Sequence, residues 1–152
     1  MRFLLIDKFI RLTKGDSVVA LKSMSADFIR EHFPRKPVIP GTLVIESFAQ
    51  IASWLVIYAC EFRYGIVLAL LRDSVIKEDI LPGDQIECHA RVLSLGDTVS
   101  EVETKGYVKN KLVAWTDVIY SHLVTYNQMD RLREINRFNY LTGLKINIGE
   151  FS

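Results

Sequence analysis

At 152 residues, 49% of them hydrophobic, the chain has material for one domain with a sizeable core and little left over for a second. Its 19 basic and 18 acidic side chains nearly cancel, so no whole-molecule field favours nucleic acid or a membrane surface, and any docking patch must be local. The two cysteines, Cys60 and Cys88, lack CxxC or Cys/His spacing, which argues against structural zinc and a disulfide framework and suits a reducing, cytoplasmic compartment.

The opening MRFLLIDKFIRL meets Asp7 and Lys8 too soon to hold a signal-peptide core. Residues 2–12 and 17–23 read as two strands joined at Lys14-Gly15-Asp16, a hairpin signal. Three of the four prolines then fall within residues 34–40, where each fixes its own φ and turns the preceding residue away from helix, so an extended, stiff loop is expected. From Gly41 the run TLVIESFAQIASWLVIYA has no Pro or Gly and is apolar on nearly every face, as for a helix surrounded by protein. Glu46, Ser47, Gln50 and Ser53 interrupt it, and its apolar stretch from 43 to 59 falls short of the ~20 residues of a membrane span.

Strands follow at 66–76, 84–95, 98–108 and 111–124. In 85–92, Ile86, Cys88, Ala90 and Val92 alternate with Gln85, Glu87, His89 and Arg91, so one face is buried. Turns are expected at 95–98 and 109–111. The pattern is α+β: one all-round apolar helix and five or six mainly antiparallel strands are best satisfied by a curved sheet that wraps the helix. Such a sheet leaves strand edges open, which predicts a homodimer paired edge to edge. Residues 1–125 form this domain; residues 126–152 read as an extension, helical in part, with Met129, Leu132, Ile135, Phe138 and Leu141 near helical period and Gly143 as its stop.

Chemistry concentrates between 32 and 50. A stiff loop brings His32 close to the start of the helix, and Glu46 and Gln50 lie one turn apart on one side of an apolar segment. A carboxylate buried there needs a partner or becomes neutral, and a neutral acid beside a histidine can give one proton while its neighbour takes another. The amides of Gly41 and Thr42 open the helix, where its positive dipole end suits a carbonyl oxygen gaining negative charge. Bland readings compete: a histidine beside Phe and Pro is usually a loop residue, and a lone Glu can simply brace the loop. His89 is expected to face solvent, His122 to be structural, and the cysteines to be apolar fillers.

The run HFPRKPVIPGTLVIESFAQ resembles the signature of FabZ-type 3-hydroxyacyl (acyl carrier protein) dehydratases, HFPGxPxxPGxLxxEAxAQ, and FLLIDKFIRL and LPGDQIECHARV extend the likeness over residues 2–124. The resemblance implies a hotdog fold, an antiparallel sheet wrapped around one long central helix, and a dimer with its sites at the interface. Carried over by position, His32 matches the catalytic histidine, Glu46 the catalytic acid, and Gly41 the glycine whose amide polarises the thioester carbonyl. Glu at 46 favours the FabZ-like branch over FabA-like enzymes, which carry Asp there. The implied reaction is reversible loss of water from a (3R)-hydroxyacyl chain on acyl carrier protein, giving the trans-2-enoyl thioester without cofactor or metal.

In that reading the Gly41 and Thr42 amides hold the carbonyl oxygen, Phe33, Leu43 and Phe48 line the acyl channel, and Arg35 and Lys36 are weak candidates for docking the acidic carrier. Glu31 and Arg35 stand where the family usually has glycine, Ser47 replaces the usual Ala, and the tail beyond 125 is extra. Two other readings are a hotdog thioesterase and a non-catalytic acyl-thioester-binding partner subunit.

Overall fold

The computed structural model describes residues 4–28 and 35–151. Its strands are β1 (Lys8–Thr13), β2 (Ser17–Ser23), β3 (Tyr64–Ile76), β4 (Gln85–Leu95), β5 (Val99–Val108) and β6 (Lys111–Thr125). Two α-helices, α1 (Gly41–Ala59) and α2 (Gln128–Thr142), complete the fold with short 3-10 turns at Ala26–Phe28 and Ile148–Phe151. All six strands form one antiparallel sheet in the order β1-β2-β4-β5-β6-β3, and α1 packs across one face of it. This is the α+β arrangement that the patterning predicts.

The alternation in β4 decides which face meets the helix: Ile86, Cys88 and Ala90 are buried while Gln85 and Arg91 are exposed. Beneath α1, Gly106 of β5 lets the helix come close, since a Cβ added there would stand 2.8 Å from Phe48 Cζ. Val44, Phe48, Ile51 and Leu55 of α1 are fully shielded from water. By length and apolarity α1 could cross a membrane; instead the sheet covers it, with 56% of its apolar window buried.

Two details depart from the sequence reading. The first strand begins at Lys8, because ahead of it the Leu5 amide donates to Gln50 Oε1 of α1 at 2.8 Å and Leu5 and Ile6 are buried, while residues 2 and 3 of the expected strand lie outside the described residues. His122, expected to be structural, is exposed, its ring edge-on to Tyr120 at 5.7 Å. The cause is an irregularity in β6, where Val118 and Ile119 are buried in succession and the alternation changes phase ahead of His122.

Among the described residues the sheet has two free edges, β1 and β3. β3 is long and unusually apolar for an exposed strand: Val67, Leu68 and Leu70 are open to solvent, Leu70 to 60%. Beyond β6, α2 lays Ile135, Phe138 and Leu141 into the hydrophobic core while Met129 and Leu132 stay outside. Gly143 ends it in the left-handed conformation (φ 74°), with its amide donating to Asn139 O at 2.8 Å.

Candidate functional site

Pro40 and Gly41 fix where α1 begins. Pro40 (φ −55°, ψ 130°) is its N-cap without any side-chain cap, and the first helical bond runs from the Leu43 amide to Pro40 O at 2.9 Å. Among the described residues the amides of Gly41 and Thr42 find no acceptor, so the positive end of the helix presents two unused donors. Thr42 is exposed. A Cβ on Gly41 would stand 2.9 Å from Ile76 Cγ1, so glycine is what allows α1 to start against the end of β3.

Glu46 lies on the second turn, half-buried, and its Oε1 accepts from Gln50 Nε2 at 2.9 Å. Gln50 in turn takes the Leu5 amide, so the carboxylate is held by a chain of hydrogen bonds reaching the N-terminal segment. One lone-pair side of the carboxylate is thereby fixed and the group stays accessible, which is the arrangement a proton donor needs. Ser47 is fully buried and its hydroxyl donates to Leu43 O at 3.0 Å, so it fits where a smaller residue would.

The remaining predicted residues fall in different surroundings. His32 and Phe33, with Glu31, lie outside the described residues. Leu43 is partly buried against the core, whereas Phe48 is 0% exposed over Gly106. Arg35 is exposed, and Lys36 forms an exposed ion pair with Asp79 at 2.7 Å. His89 sits on the far side of the sheet from α1, paired with Glu87 Oε1 at 2.6 Å, in a surface groove of about 480 Å³ that contains none of the predicted site residues. The thiols of Cys60 and Cys88 are buried, and burial pushes both upward, so they are apolar fillers rather than nucleophiles. What sequence reasoning lacked was the link from Gln50 to Leu5, a tertiary contact with no local signal.

A sheet wrapped on one long helix places this chain among the hotdog proteins. A Streptococcus mutans protein bound to acetyl CoA superposes on it with a TM-score of 0.68 at 13% identity, over 84% of this chain and 95% of the other. Zebra fish thioesterase superfamily member 2 does so with a TM-score of 0.63 at 18% identity, over 76% and 79%. At such identities the likeness concerns the fold. Sequence goes further: residues 1–114 match the FabA-like domain family. A Hydrogenobaculum 3-hydroxyacyl (acyl carrier protein) dehydratase FabZ is 33% identical over 116 residues, covering 73% of this chain and 78% of that protein. The FabZ of Ruminiclostridium cellulolyticum is 33% identical over 123 residues, covering 78% and 86%. The chain belongs to the FabA-like family, in its FabZ-type dehydratase branch.

Proposed function

We propose that this protein removes water reversibly from a (3R)-hydroxyacyl thioester carried on the phosphopantetheine of acyl carrier protein. One observation carries the reading in a FabZ-type chain: an accessible carboxylate, held by Gln50, stands one turn from a helix start with two amide donors that have no acceptor among the described residues. The Gly41 and Thr42 amides receive the thioester carbonyl oxygen, which gains negative charge as the C2 proton leaves. His32 takes that proton. Glu46, in its acid form, gives a proton to the 3-hydroxyl; the C3–O bond breaks, the C2–C3 double bond forms and water departs. Each proton mover is an ordinary side chain with a stated donor or acceptor role, and no cofactor enters the balance.

The working unit in this reading is a homodimer in the cytoplasm, with His32 of one copy meeting Glu46 of the other. The open apolar edge of β3 supports it, because an exposed strand of that length is a template for pairing unless another chain covers it. Arg35, exposed at the rim of the proline loop, is the better of the two candidates for meeting the acidic carrier, since Lys36 already has Asp79.

The test is to incubate carrier-bound 3-hydroxyacyl substrate with the protein and with His32→Ala and Glu46→Gln, following the loss of water by mass. Activity in the parent and its collapse in both variants is expected; undiminished rates in both refute the assignment. Partial recovery on mixing the two variants is the signature of a site shared between copies. Release of free carrier thiol instead of enoyl product identifies a thioesterase, and retained carrier binding without turnover identifies a non-catalytic subunit.

A further inference from the structure

The outer face of the sheet, away from α1, carries a groove of about 480 Å³ that runs from β1 to β5, the size of a small-molecule site. Strand register brings its cations together. Arg11 of β1 stands opposite Val19 of β2, Val19 opposite His89 of β4, and His89 opposite Lys105 of β5, a single row across four strands. Arg11 belongs to that row only because the register of β1 shifts between Phe9 and Arg11. Phe9 and Leu12 pack on the core, and the two residues between them, Ile10 and Arg11, are both exposed. In an unbroken strand Arg11 would share the face of Phe9. Val19 lines the groove and is only 7% exposed although it belongs to the outer row, so charged walls enclose an apolar floor.

Three cations line this groove against one carboxylate. Arg91 is neutralised by Glu103 at 2.6 Å, and His89 is held by Glu87 Oε1 at 2.6 Å. Arg11 and Lys105 have no ion-pair or hydrogen-bond partner among the described residues. Three strand spacings, about 14 Å, separate their backbones, and both long side chains line the groove from opposite banks. We propose that the groove binds a phosphate monoester of a small organic molecule. The charge of such a group, about −1.5 to −2 at neutral pH, suits the two cations that lack partners. Arg11 offers a planar fork to its oxygens. The organic part covers Val19 beside Tyr107, whose ring stands edge-on to His89 at 5.0 Å. Free phosphate gains nothing from that apolar floor. The sheet lies between this groove and Glu46, so the occupant is a second ligand rather than the thioester.

The experiment follows amide chemical shifts of the full chain during titration with phenyl phosphate, inorganic phosphate and benzoate. It needs no turnover, so its outcome is independent of the dehydratase reading. Phenyl phosphate is expected to bind with a submillimolar dissociation constant at low salt, to shift residues around Val19 and His89, and to weaken as salt is raised. Inorganic phosphate and benzoate should each bind at least tenfold more weakly. Arg11→Gln and Lys105→Gln should each weaken phenyl phosphate about tenfold, while Lys111→Gln, which removes a cation paired with Glu78 outside the groove, leaves it unchanged. Absence of shifts at the groove, or an equal loss in all three variants, overturns the site. Equal affinity for phenyl phosphate and inorganic phosphate overturns the monoester.

Discussion

The two ends of α1 solve opposite problems. At its N-terminus no side chain caps the helix, two amides have no acceptor among the described residues and a carboxylate is kept accessible on the second turn. At its C-terminus the amides of Cys60, Glu61 and Phe62 are all satisfied by carbonyls of the last turn, and aromatic rings close over the helix. Unused polar groups cost stability unless a ligand or water meets them, so the first end is suited to a ligand and the second to holding the fold. In the proposed reading one helix separates activity from stability along its length, and substitutions along it should divide the same way.

The largest expected effect is at the open end. Glu46→Gln keeps an acceptor for Gln50 but removes the proton, so kcat should fall by about 10²- to 10⁴-fold with the melting temperature nearly unchanged. A large loss of stability in that variant would mean that Glu46 braces the fold. At the closed end the balance reverses: Phe138→Ala empties a site among four rings and should cost about 3–5 kcal/mol in denaturant unfolding. Midway, Gly106→Ala pushes a methyl to 2.8 Å from Phe48 Cζ, and about 1–3 kcal/mol of overpacking is expected from the same measurement.

The smallest effect lies in the segment that joins the two ends across the N-terminal chain. Burial alone would raise the Asp7 carboxyl, but Lys22 Nζ at 2.7 Å and the Ser23 amide at 2.6 Å outweigh it and hold it below the ordinary carboxylate value. A depressed folded-state pKa stabilises above the unfolded value of ~3.9 and is lost as pH falls through the folded one. Unfolding curves of the parent and Asp7→Asn should therefore differ slightly at neutral pH and converge below about pH 4. A difference that grows on acidification would contradict the pairing.

Much of this was legible in the chain because the relevant signals are local. Pro40-Gly41 marks the start of α1 to the residue, and period-two alternation marks the buried face of β4. Glu46 and Gln50 are recognisable as neighbours from their spacing alone, and the structure joins them by a hydrogen bond. The misreadings have non-local causes. The orientation of His122 depends on an irregularity in β6 that shifts the side-chain phase and leaves no mark in the composition. The late start of β1 depends on Gln50 capturing the Leu5 amide across 45 residues. For α2, spacing announces a helix, but only packing reveals that Ile135, Phe138 and Leu141 enter the same core as α1.

The corner between α1 and β3 carries one more implication. Glu61 (φ 56°) and Phe62 (φ 58°) are consecutive left-handed residues, neither of them glycine, a conformation that costs about 1–2 kcal/mol for each. What holds them there is contributed by distant chain: Lys14 on the Glu61 carboxylate at 2.9 Å, Arg131 on its carbonyl, and the rings of Phe138 and Phe151 on Phe62. These partners lie far from the corner in sequence, so the bend is locked only once residues 131–151 have packed back onto it. β3 leaves from that corner, so the direction of its open edge is set by packing from residues more than sixty positions away.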